Sequence, residues 1–183
     1  MRTATDRLVA SSQTTMPEDA AAFVEIQERS YARAGPSILT SYPHSRAMDG
    51  PRLAAFLEGK RYAVCATSRQ DGRPQASPVA FIIWNGCFWF ASVRGARLRN
   101  LRARPYASIV IMDGEGPAHR AVIAEGPAVL HEVRSTDPLP EAFRRRWMDR
   151  HGAVPSWAAA LIEISPDRLF SYDATIAAPR EEA

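Results

Sequence analysis

The sequence predicts a mainly β fold, a small antiparallel barrel with a few helices at its periphery. Three observations carry this. Five or six runs of strand length follow one another between residues 62 and 173. Two of their links contain Asp71-Gly72 and Asn85-Gly86, dipeptides suited to tight hairpin turns. The strands do not alternate with helices, which favours a barrel over a doubly wound sheet.

The elements follow in order. Residues 1–16 are polar and aperiodic. PEDAAAFVEIQERSYARAG, from Pro17, has proline and acids in its first turn, arginine in its last and Gly35 after it, the start and stop signals of a helix. Residues 36–49, with Pro36 and Pro43, read as a connecting loop. GPRLAAFLEGK places Leu53, Phe56 and Leu57 on one face of a second helix. The first strand is 62–68 and the second 75–83. Pro78 inside the second strand marks a bulge, an edge, or a place where a ligand takes up backbone groups. Asn85-Gly86 leads into a third strand at 87–92, followed by an Arg-rich helix at 97–105 and a strand at 106–112. The long strand 119–133 is kinked at Gly126-Pro127. A helix near 139–151 precedes a last strand or strand pair, 158–164 and 168–173, interrupted by Ser165-Pro166. The tail APREEA reads as a frayed end.

The 183 residues are enough for one domain with a full core. A hydrophobic content of 46% with 23% charged residues argues against a wholly disordered chain. No apolar run approaches the roughly 18 residues that span a bilayer. The opening MRTATDRLVASSQTT lacks an apolar core of signal-peptide length. The expectation is a cytoplasmic protein without membrane partners. Of 23 basic residues all but Lys60 are arginine. A GC-rich coding sequence produces this composition, and so does a surface suited to bidentate phosphate or carboxylate contacts. A net charge of +3 is too small to imply nucleic acid.

His44, His119, His131 and His151 are scattered without metal-ligand spacing. Cys65 and Cys87 form no CxxC pair and read as free thiols acting as small buried hydrophobes. There is no GxSxG, P-loop or GxGxxG. SVRGARLRN, 92–100, is different. Ser92 closes a strand, Gly95 permits an unusual backbone path, and Arg94, Arg97 and Arg99 follow closely. A phosphate there would meet helix amides, a hydroxyl and guanidinium groups together. The same spacing fits a solvated basic helix, and the local sequence does not separate the two. The Arg144–Arg146 run reads as a solvated face beside Phe143 and Trp147, which have core spacing. Trp84, Phe88, Trp89 and Phe90 read as core rather than as a base-stacking platform.

Taken in order, DGRPQASPV, the Asn-Gly turn before an aromatic strand, FASVRGARLRNLRARP and RAVIAEGPAVL resemble the pyridoxamine 5′-phosphate oxidase-like flavin and deazaflavin oxidoreductases. The likeness runs from about Arg61 to Val133 and weakly to Asp173. It implies a six-stranded, Greek-key, FMN-binding split β-barrel that dimerises with cofactor sites at the subunit interface. It divides the chain into an N-terminal extension with one helix (1–50), a cofactor-binding split barrel (51–175) and a tail (176–183). Carried over by position, Gln75, Ala76, Ser77, Pro78, Val79 and Ala80 line the cofactor, largely through backbone groups, and Phe90, Ala91 and Ser92 continue that wall. Arg97 stands where the family has a basic phosphate ligand, usually lysine, with Arg94 and Gly95 in the adjoining phosphate loop. Glu125-Gly126 matches the family's Glu-Gly pair, with Arg120 upstream. Ala96 replaces a frequent serine, and the C-terminal Arg/Trp signature of the vitamin-synthesising oxidases is missing from LFSYDATIAAPREEA.

The resemblance implies a cytoplasmic, homodimeric flavoprotein that is not a true pyridoxine-phosphate oxidase. It would be an oxidoreductase using FMN or the deazaflavin coenzyme F420 to move hydride to or from a small organic substrate, with no catalytic side chain assigned. A second reading is a non-catalytic protein that binds flavin, haem or another planar ligand. A third, a nucleic-acid binder built on the basic helix, is disfavoured by the modest charge.

Overall fold

The computed structural model describes residues 16–133 and 141–177. The described residues form seven strands: β1 (Tyr62–Ser68), β2 (Pro74–Trp84), β3 (Cys87–Ser92), β4 (Tyr106–Asp113), β5 (Arg120–Glu132), β6 (Ala160–Ile164) and β7 (Arg168–Asp173). Their order is β4-β1-β2-β3-β6-β5, closed into a ring by β4–β5, with β7 outside the ring on β5. Every pairing is antiparallel. The run β4-β1-β2-β3 is a Greek key. The expected six-stranded barrel is therefore present, and the final strand pair supplies both its last stave and the extra strand.

Two long strands split the barrel. β2 pairs through Pro74–Ala80 with β1 and through Phe81–Trp84 with β3. β5 pairs through Arg120–Pro127 with β4 and through Ala128–Glu132 with β6. The second change of partner falls at Gly126-Pro127, the kink expected from the sequence. A Cβ on Gly126 would lie 2.1 Å from the carbonyl oxygen of Ser165, so the β6–β7 turn can pack there only against glycine. Pro78 causes no bulge. It keeps register with Val64 in a half of β2 that has no partner on its other side, the edge position that proline tolerates. Asn85 and Gly86 both have positive φ, 53° and 68°, as a two-residue hairpin turn of this hand requires.

The helices are α1 (Met16–Tyr31), α2 (Pro36–Ser41), α3 (Gly50–Glu58), α4 (Ala96–Ala103) and α5 (Glu141–His151). α2 and a 3₁₀ turn at His44–Arg46 correct the expected loop over 36–49. Pro36 sits in the first turn of α2, where its fixed φ is already helical and its missing N–H costs nothing. The polar N-terminal stretch, apart from Met16, and the tail APREEA fall outside the described residues. No described helix is long and apolar enough to cross a membrane.

Alternation along the strands sorts the aromatics into two cores. Phe81, Phe88 and Phe90 fill the barrel interior. Phe23 of α1 joins them, its ring stacked on Phe88 at 5.0 Å. At the other end of β3, Leu98 and Leu101 of α4 close the same core. Trp84 and Trp89 point outward and are covered by Phe143 and Trp147 of α5. The core reading of this aromatic block holds for all four residues. The solvated reading of the arginine run holds only for Arg144 and Arg145. Arg146 turns inward and donates from Nε to the Ile83 carbonyl at 2.8 Å.

Candidate cofactor site

α4 lies over the β1–β2 end of the barrel and reaches into it with two polar side chains. Arg97 and Asn100, three residues apart, share one helix face. Ser77 and Gln75, two apart, share the inward face of β2. The two pairs meet. Arg97 Nη2 donates to Ser77 Oγ at 2.6 Å, and Asn100 Nδ2 donates to Gln75 Oε1 at 3.0 Å. Asn100 Nδ2 also donates to Thr67 Oγ1 on β1 at 3.0 Å.

Arg97 is the centre of the cluster. Nη1 reaches Ser92 Oγ at 3.4 Å and Nη2 reaches the Pro78 carbonyl at 3.4 Å. The guanidinium carbon stands 5.6 Å from the Phe90 ring centroid, within range of a cation–π contact. Its Nε is buried and has no hydrogen-bond partner among the described residues. A buried donor left unpaired costs about 1–3 kcal/mol, so the mouth of the barrel carries a cation with capacity for an acceptor. Beneath it, Cys65 pairs across the strands with Ser77. Burial pushes the Cys65 thiol up to about 11, against a smaller opposing pull from Arg97, so it stays protonated at neutral pH. The start of α4 has no side-chain cap, which leaves its first amides available.

The expected wall is two-faced. Gln75, Ser77 and Val79 point inward, whereas Ala76 and Pro78 are exposed and Ala80 is half-buried on the other face. Phe90 and Ser92 face the interior, but Ala91 packs in the outer core beneath α5. Strand alternation makes this unavoidable for any run of consecutive residues. Arg94 is exposed just before α4. Gly95 is fully extended, with φ 179°, and a Cβ there would meet open space. The unusual backbone path expected of it is not needed. Glu125 and Arg120 are held in ion pairs with Arg168 and Asp113, at 3.1 and 2.8 Å.

Asn100 and Thr67 were not singled out from the sequence. The available signal was an amide one helical turn after Arg97 in an otherwise basic helix. Adjoining this cluster through Asn100, a groove of about 960 Å³ between α4 and the β1–β2 turn is lined by Arg69, Asp71, Arg99 and Arg102. Among the described residues no group of three His, Cys, Asp or Glu side chains is placed to hold a metal ion.

The sequence pattern of the family described as pyridoxamine 5′-phosphate oxidase matches residues 50–173. No curated protein matches the chain. Among solved structures, a conserved hypothetical protein of Mycobacterium tuberculosis superposes with a TM-score of 0.61 at 21% identity, covering 78% of this chain and 99% of that one. The haem storage protein HutZ of Vibrio cholerae gives 0.56 at 20% identity, covering 67% and 93%. A structure described as an F420 reductase gives 0.51 at 22% identity, covering 63% and 93%. At these identities the likeness is one of fold.

Proposed function

Because the chain belongs to the pyridoxamine 5′-phosphate oxidase family, we propose that it is an oxidoreductase using FMN or the deazaflavin coenzyme F420 to move hydride to or from a small organic substrate. The observation that carries this reading is the Arg97 cluster, a guanidinium with an unpartnered buried Nε at the start of α4, braced by two serine hydroxyls. It suits a phosphate-bearing ligand, because helix amides and a guanidinium both favour such an anion. Arg97 and Arg94 would hold the phosphate, and the 75–80 and 90–92 segments would flank the ring.

The bound cofactor supplies the hydride chemistry. The chain's own residues bind and orient. Ser77 and Ser92 fix the guanidinium, and Phe90 closes the apolar side. Cys65 lies beneath the cluster as a neutral thiol.

A non-catalytic role in holding a flavin, haem or another planar ligand is the second reading. The make-up of the cluster favours it: hydroxyls, amides and a guanidinium bind well and exchange no protons near neutrality. A structural neighbour described as a haem storage protein shares the fold.

A second copy of this chain is the proposed partner. The outward face of β2, β1 and β4 presents Pro78, Tyr62, Val64 and Met112 to solvent, an apolar sheet face that a homodimer would cover. Parallel fluorescence titrations with FMN and F420 test the cofactor. Turnover of the reduced cofactor that binds then separates enzyme from carrier. Binding of neither would remove the oxidoreductase reading.

A further inference from the structure

The orientation of one side-chain amide bears on which ligands this mouth accepts. Asn100 is buried at 7% exposure and spends both hydrogens of its amide nitrogen, one on Thr67 Oγ1 and one on Gln75 Oε1. Thr67 is itself buried. Gln75 therefore has its carbonyl oxygen committed to α4. Its Nε2, with two N–H donors, has no partner among the described residues and is not sealed from solvent. Gln75 occupies the inward position of β2 next to Ser77, the residue that braces Arg97.

We infer that Asn100 is a positioning residue that makes Gln75 a hydrogen-bond donor to the ligand, so that the site selects planar ligands presenting an acceptor, such as a ring carbonyl oxygen, at that edge. The inference rests on the flavin-type reading above and assigns Gln75 a side-chain role in place of the backbone role expected of it. An amide is symmetric in shape but not in polarity. Whichever atom α4 takes, the other faces the ligand, so a residue that never touches the ligand sets the polarity of the site. A buried donor confronted by a donor, or an acceptor by an acceptor, is strongly disfavoured.

The test uses riboflavin as the probe, because it lacks a phosphate whose affinity an added carboxylate would alter. Asn100→Asp replaces the helix donor by an acceptor of the same shape, which captures Gln75 Nε2 and turns Oε1 outward. Gln75→Glu places an acceptor outward by a different route. Both variants are expected to bind riboflavin roughly ten- to a hundredfold more weakly than the wild type. Gln75→Met, which fills the space without polarity, should lose less than either. Far-ultraviolet circular dichroism and the melting temperature of the ligand-free proteins establish that each variant is folded. The visible absorption band of bound riboflavin is a second readout. It should shift in Asn100→Asp and Gln75→Glu relative to the wild type, because the donor to the ring is gone. Folded variants with wild-type affinity and an unmoved band would overturn the inference while leaving the flavin reading intact. A wild type that binds neither riboflavin nor FMN would overturn both.

Discussion

At the scale of single residues, charge and shape act through a few atoms. Arg97 is bound by hydroxyls on two strands, yet its Nε remains unpaired. Arg97→Ala is expected to weaken cofactor binding by roughly 1–3 kcal/mol, the scale of a charge-assisted hydrogen bond, read as a Kd by fluorescence titration. Unchanged affinity would remove the phosphate assignment. Gly126 is governed by contact rather than by dihedral freedom, because the Ser165 carbonyl occupies the place of a side chain. Gly126→Ala should destabilise by roughly 1–3 kcal/mol through overpacking against backbone, seen as a lower denaturant midpoint. The Gly-Pro pair announced a kink. Nothing local to it identified the carbonyl, 39 residues later in the chain, that requires the glycine.

At the scale of elements, α1 is tied to the barrel by buried polar groups as well as by Phe23. Asp19, 1% exposed, accepts from the Gly86 backbone amide at 2.7 Å and pairs with Arg146 of α5 at 3.3 Å. One carboxylate thus joins α1, the β2–β3 turn and α5. Asp19→Ala should cost roughly 2–4 kcal/mol, since it strips a partner from a partly buried charge, with an unchanged m-value in urea if unfolding stays two-state. Arg150 of α5 plays a similar part, donating to the carbonyls of Leu57, Glu58 and Lys60 at the end of α3. His151, the last residue of α5, is held below its ordinary 6.5, mainly by burial, with its Nε2 3.0 Å from the Phe81 carbonyl. The unfolded chain therefore takes up a proton that the folded one resists. The His151 contribution is fully present above the unfolded pKa and is lost as pH falls through it toward the lower folded value. The urea midpoint should drop between about pH 7.5 and 5, and the drop should shrink in His151→Gln. Helix periodicity located α5 and its apolar face. It could not show that Arg146 and Arg150 turn inward, because a charged residue's partner lies on another element.

At the scale of the whole molecule, the barrel leaves one apolar face open. Tyr62 is 67% exposed and Met112 61%, with Val64 between Pro78 and Val110 in register. If a second copy covers this face, Val64→Glu should convert a dimer to a monomer in sedimentation velocity with little loss of fold, since the position is solvent-facing in one chain. A monomeric wild type would remove the proposal. The barrel itself was legible from hairpin dipeptides and strand alternation, which are local properties of the chain. So were the two aromatic cores, because alternating side chains must face opposite ways. Which strands meet after the β5 kink was not legible, nor was the closure of β4 on β5. The candidate site divides in the same way. Arg97 and Ser77 could be named from motif and resemblance. The pairing of Asn100 with Gln75 and Thr67 and the part played by α1 were decided by tertiary structure alone. Those contacts join residues 25 to 127 positions apart, and no local preference encodes which distant group a buried hydrogen-bonding side chain will meet.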